Sequence, residues 1–130
     1  MSQLNMDCSR RVWGRFLAGD TDGVLELLHD DVVVHDLPEL PGAGVHHGHE
    51  GFLEQIAGFS EVFEDMDYRA LERIDCGEQV VTVVQAEATA AASGIPRTFT
   101  YAQLETWRDG KLACIRYFTE RDGALEAAEA

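Results

Sequence analysis

Asp30-Asp31-Val32-Val33-Val34-His35-Asp36 is the stretch on which the reading of this chain turns. Three β-branched residues in succession fit a pleat better than a helix, which predicts a short strand over residues 32–35. The strand ends on an imidazole and a carboxylate, then breaks at Leu37-Pro38 into a loop rich in Gly and Pro. A carboxylate at a strand tip is placed for proton transfer when it faces a small-molecule cavity. The orientation of Asp36 therefore governs the functional reading.

Upstream of this strand the periodicity is helical. Ser9 or Asp7 can cap a first helix running to about residue 18, with Val12, Trp13, Phe16 and Leu17 on one face. Gly19 ends it, and Asp20 or Thr21 caps a second helix carrying Val24, Leu27 and Leu28. Beyond the loop, His49-Glu50 opens a third helix with Phe52, Leu53, Ile56, Phe59 and Phe63 at helical spacing. From Asp67 the period becomes strand-like, predicting strands over residues 68–74, 80–92, 99–107 and 112–118. Turns fall at Cys76-Gly77-Glu78, Ser93-Gly94-Ile95-Pro96 and Arg108-Asp109-Gly110-Lys111, and residues 124–130 form a short helix or frayed tail. Helices first and an antiparallel meander afterwards predict one α+β domain over residues 1–130, its curved sheet wrapping helices on the concave face.

Alternation says which side chains look inward. On the long strand Thr82, Val84, Ala86, Ala88 and Ala90 form the inner face, and Val83, Gln85, Glu87 and Thr89 the outer. On the next strand, Tyr101, Gln103, Glu105 and Trp107 oppose Thr100, Ala102, Leu104 and Thr106, and pattern alone does not choose between the faces. On the last strand, Ala113, Ile115 and Tyr117 point inward and Cys114 and Arg116 outward. Small residues on an inner face leave volume unfilled, which predicts a pocket lined by the alanines.

Composition narrows the partners. A formal charge of −14, from Lys+Arg 10 against Asp+Glu 24, leaves no basic footprint for nucleic acid or for an anionic membrane. A neutral, mostly apolar small molecule suits this field best. Cys8, Cys76 and Cys114 show no metal-type or C-x-x-C spacing and read as reduced thiols of a cytoplasmic protein. No stretch has the apolar core of a signal peptide or the length of a membrane span.

The chain resembles, over nearly its full length, the SnoaL-like branch of the nuclear transport factor 2-like superfamily, which includes ketosteroid isomerases and polyketide cyclases. The resemblance rests on Ala18-Gly19-Asp20 between two helices, the stretch from Asp30 to Asp36, Gly48-His49-Glu50-Gly51, Ser93-Gly94-Ile95-Pro96, Arg108-Asp109-Gly110-Lys111 and Glu120 before Ala124-Leu125-Glu126-Ala127-Ala128. It implies a cone of curved antiparallel sheet closed by helices around an apolar pocket, commonly dimeric, with no cofactor. It also implies that Tyr101, Gln103, Glu105 and Trp107 face the cavity. Asp36 matches the aspartate that serves ketosteroid isomerases as general base. Their oxyanion-hole tyrosine and second aspartate are replaced by Val12 and, approximately, Gln103. In limonene epoxide hydrolases, similar in outline, the ionic residues fall at Val84, Ala86 and Tyr117, so that activity is excluded. SnoaL-type cyclases carry a carboxylate near the last strand, where this chain has Tyr117.

Asp36 is thus the leading candidate base, against a role capping backbone N–H groups before Pro38. Glu105 is the second candidate, because an inward carboxylate needs a partner or a function. Tyr101, Gln103 and Tyr117 are candidate donors to a ligand oxygen, against a role as a buried polar network. Trp107, Val84, Ala86 and Trp13 are expected to complete the wall and floor. His35 points to the opposite face from Asp36. His46, His47 and His49 match no standard metal spacing and read as a solvent loop leading into a helix, with no metal expected. The resulting expectation is a cofactor-independent isomerase, cyclase or dehydratase acting on an apolar cyclic or aromatic carbonyl compound. The alternatives are a ligand-binding or carrier protein of the same fold and a structural dimer with a filled cavity, the outer face of Gln85, Glu87 and Thr89 being the expected dimer contact.

Overall fold

The structure, a computed structural model, describes residues 3–39 and 43–129. Leu40, Pro41 and Gly42 of the Pro/Gly loop and Ala130 of the tail lie outside the described residues. The chain runs α1 (Gln3–Leu17), α2 (Thr21–Glu26), β1 (Leu28–His35), β2 (Val45–His47), α3 (Gly48–Val62), β3 (Phe63–Cys76), β4 (Gln79–Ala90), β5 (Pro96–Arg108), β6 (Lys111–Phe118) and α4 (Arg121–Glu129). The strands form one curved, unclosed sheet in the order β2-β1-β6-β5-β4-β3. Every neighbouring pair is antiparallel except β1 and β6, which run parallel. The expected α+β cone wrapped around N-terminal helices is the fold found.

Several elements differ in extent from their sequence reading. α1 begins at Gln3, ahead of both expected caps, so Ser9 sits mid-helix and fully buried. Asp20 caps α2 by accepting the Gly23 amide at 3.0 Å, which resolves the choice between Asp20 and Thr21. Phe63 belongs to β3 rather than to the third helix, and its ring packs on Phe99 at 5.5 Å. Val45–His47 is a strand, not a solvent loop: Val34 faces His46 across the β1–β2 pair. The tail is a helix, α4, packed on the convex side of the sheet. Ala124 is buried there with Val81, Ala102 and Leu104. That cover explains why β5 shows no polar side in sequence, since both of its faces are buried over residues 102–105.

The main core lies on the concave side, where Val12 and Trp13 of α1, Val32 and Val34 of β1 and Phe52 of α3 meet the sheet. Directly paired residues share a face. Tyr68, Ala86 and Phe99 therefore form one inner row, Thr82, Gln103 and Tyr117 another, and Val80, Glu105 and Ile115 a third. Register shifts within β3, one of them spanning Asp65 at φ 53, bend that strand around the helices.

Candidate functional site

Between the helices and the concave face lies a cavity of about 260 Å³, close to the lower end of ligand pockets, about 300–1,000 Å³. Its wall is mostly aromatic and aliphatic. Trp13 and Phe16 come from α1, Phe52, Ile56 and Phe59 from α3, and Tyr68, Phe99, Tyr101, Ile115 and Tyr117 from the sheet. The rings support one another edge to face. Trp13 and Phe16 lie 5.7 Å apart, Phe16 and Tyr68 5.2 Å, and Tyr101 and Tyr117 5.7 Å.

The polar groups of the wall are neutral. Burial pushes the Tyr101 and Tyr117 phenols well above their ordinary titration range, and neighbouring phenols push them further. Both hydroxyls therefore stay protonated and can donate to an oxygen placed between them and the helices. Gln103, paired with Tyr117 across β5 and β6, adds an amide. Sequence reasoning missed Gln55, which lines the cavity from α3 and is 6% exposed. Its signal was legible: Gln55 stands three residues after Phe52 and four before Phe59, inside the apolar stripe.

Four expected residues lie behind the lining rather than in it. Val84 and Ala86 are both fully buried, under Tyr101 in one row and between Tyr68 and Phe99 in the other. The small Ala86 makes room for the two rings, so the pocket is walled by aromatics, not by alanines. Trp107 is 3% exposed in the core, one turn of the strand pleat below Glu105.

Glu105 is sealed from the cavity. It is fully buried, and four side chains donate to its carboxylate. Ser9 Oγ reaches Oε1 at 2.7 Å, while Trp13 Nε1, Gln103 Nε2 and Thr82 Oγ1 reach Oε2 at 2.9, 2.9 and 3.1 Å. Arg73 Nε in turn donates to Ser9 Oγ at 2.9 Å, so a relay links guanidinium, hydroxyl and carboxylate. Burial raises the Glu105 pKa, and the hydrogen bonds from Ser9, Trp13 and Thr82 together with the Arg73 charge pull it back. With its lone pairs taken, this carboxylate orients Trp13 and Gln103, two of the residues that line the cavity.

Asp36 follows the last residue of β1, His35. Its carboxylate is held at the rim, accepting from the Gly44 amide at 3.2 Å and lying 3.0 Å from His46 Nε2. It borders a second, more open depression and is not part of the main lining. Tyr117 and Thr119 belong to both walls, so the depression that Asp36 borders adjoins the cavity. The three histidines diverge. His46 serves Asp36, whereas His49 Nε2 lies 3.2 Å from the Leu28 carbonyl oxygen. Among the described residues no group of His, Cys, Asp and Glu is arranged to hold a metal ion, and no helix is long and apolar enough to cross a membrane.

Residues 10–115 match the SnoaL-like domain family. No curated protein matches the sequence. Among solved structures, the chain is similar to TerC, crystallised with polyporic acid, at 26% identity over 98% of this chain and 100% of that one, with a TM-score of 0.79. A nuclear transport factor 2-like protein from Burkholderia pseudomallei is 23% identical over 100% of both chains, with a TM-score of 0.79. A protein with a ketosteroid isomerase-like fold from Catenulispora acidiphila, in complex with trimethylamine, is 11% identical over 94% of this chain and 92% of that one, with a TM-score of 0.72. With the cone, its cavity and a match over most of its length, the chain belongs to the SnoaL-like domain family.

Proposed function

We propose that this protein takes a small, mostly apolar cyclic or aromatic carbonyl compound into the cone and catalyses proton transfer on it without a cofactor. The observation that carries the reading is the aromatic cavity in which the polar groups are neutral hydrogen-bonding side chains. A carbonyl oxygen beside Tyr101 and Tyr117 meets two protonated phenols, the environment in which enolate charge is best stabilised. Asp36 at the rim then removes a proton from the carbon next to the carbonyl, and the C–H electron pair moves onto the oxygen. Return of the proton to another carbon gives isomerisation, attack on an electrophilic carbon gives cyclisation, and loss of a β-hydroxyl gives dehydration. Co-crystallisation of TerC with polyporic acid supports a small-molecule role for the cavity.

Exchange of the α-protons of 1-tetralone in deuterium oxide, followed by NMR, tests this. Wild type accelerates the exchange, and Asp36→Asn loses the acceleration while keeping its affinity for 1-tetralone. No acceleration by wild type would overturn the catalytic reading.

A carrier without turnover is the second reading. It is favoured by one observation: among the described residues no carboxylate lines the main cavity. In that case Asp36→Asn changes affinity alone. The same proposal takes the chain as a single-domain homodimer of the cytoplasm. Three free thiols suit a reducing compartment, and the exposed Leu71 of β3 and Ile95 of the turn between β4 and β5 suit a subunit contact.

A further inference from the structure

Gln55 presents an anomaly that the fold leaves unresolved. Its side chain is shielded to 6% exposure, it lines the cavity, and its Nε2 has no hydrogen-bond partner among the described residues. A buried amide N–H that no protein group accepts is free to meet an acceptor in the cavity. Its neighbours on the helix offer no acceptor. Phe52, Ile56 and Phe59 flank Gln55 on α3, and none of them can accept a proton. The Tyr117 phenol is a polar neighbour whose proton affinity Gln55 lowers by side-chain hydrogen bonding, against the much larger effect of burial. A leucine at this position would satisfy the apolar face of α3.

We infer that Gln55 is a specificity-determining residue whose amide N–H is reserved for an acceptor oxygen of the bound compound, which fixes the oxygen toward the wall shared by α3 and β6. The inference rests on the proposed use of this cavity and adds to it a polarity for the ligand. Gln55 and Tyr117 converge as donors on one side. Trp13 and Phe16 of α1 offer ring faces and edges for the hydrocarbon part. A compound with its oxygen at the wrong end would leave that oxygen against rings and the amide still unmet. Chemically, the preferred class is a ring compound bearing a carbonyl or other acceptor oxygen at its edge, and a hydrocarbon of the same outline is discriminated against.

The test compares 1-tetralone with tetralin, the same bicyclic frame without the oxygen, binding to the intact protein by quenching of tryptophan fluorescence. The quantity read is the ratio of the tetralin Kd to the 1-tetralone Kd, in wild type and in Gln55→Leu, so that the solvation difference between the compounds cancels. Gln55→Leu is expected to lower this ratio about tenfold, chiefly by weakening 1-tetralone. Gln55→Met, unbranched like glutamine, gives the same readout should leucine pack badly. Both compounds binding with an unchanged ratio in both variants would overturn the role of Gln55 and leave the cavity as a ligand site. Binding of neither compound to wild type would overturn the cavity reading and this inference with it.

Discussion

Replacing Glu105 by leucine removes the common acceptor of four buried donors. The hydroxyls of Ser9 and Thr82 are 3.5 Å apart and can turn toward each other, so part of the loss is recovered. Trp13 Nε1–H and the Gln103 amide have no such alternative. An orphaned buried donor costs about 1–3 kcal/mol, giving about 2–6 kcal/mol for the two. Arg73, half-buried and reaching the site through Ser9, also loses its counter-charge. Set against a typical total of about 5–15 kcal/mol, Glu105→Leu is expected to lose a large share of its stability. Glu105→Gln keeps the shape and one acceptor oxygen, and is expected to cost about 1–3 kcal/mol. Urea unfolding followed by the fluorescence of Trp13 and Trp107 measures both. A Glu105→Leu protein within about 1 kcal/mol of wild type would refute the view that this carboxylate organises the base of the cone.

Glu105 also sets a pH dependence: its folded pKa is raised by burial above the unfolded value of about 4.3, so the native state holds the proton longer. Its contribution is complete below that unfolded value and declines as pH rises through the folded one, a slope that unfolding of Glu105→Gln at several pH values should lack. His35 acts with the opposite sign, since burial and Arg116 depress its pKa below about 6.5, and acidification through that value costs stability that His35→Asn retains. Gly51→Ala would put a methyl group 2.8 Å from the backbone carbon of His46. A loss of about 1–3 kcal/mol in unfolding free energy is expected, with displacement of the Asp36 partner, and an unchanged stability would contradict the close packing of α3 on β2. Tyr101→Phe and Tyr117→Phe each remove one donor from the cavity. Each is expected to weaken 1-tetralone about three- to tenfold and tetralin not at all, as read by fluorescence titration.

Much of this architecture could be read from residue order because the local signals agreed with one another. In β1 the valines at 32 and 34 are fully buried, as a strand ending at His35 requires. The β6 alternation placed Ile115 and Tyr117 in the cavity wall for the same reason. What escaped was decided at long range. The acceptor role of Glu105 depends on Ser9 and Trp13, more than ninety residues earlier in the chain, and Ser9 looked like a cap because the start of α1 was placed too late. β2 spans only Val45–His47, too short for a period, and it exists because β1 offers it an edge. The expected alanine lining failed because small residues between large neighbours are covered by them, as Ala86 is by Tyr68 and Phe99. Gln55 was overlooked as one polar residue in an apolar stripe, where a polar exception carries more information than the stripe.

The most direct trial of the account is a crystal structure of the intact protein soaked with 1-tetralone. The rings should lie among Trp13, Phe16 and Phe52, with the carbonyl oxygen in hydrogen-bond contact with the Tyr101 or Tyr117 hydroxyl. Side chains of the protein closing the cavity, or 1-tetralone seated only on the outer surface, would contradict it.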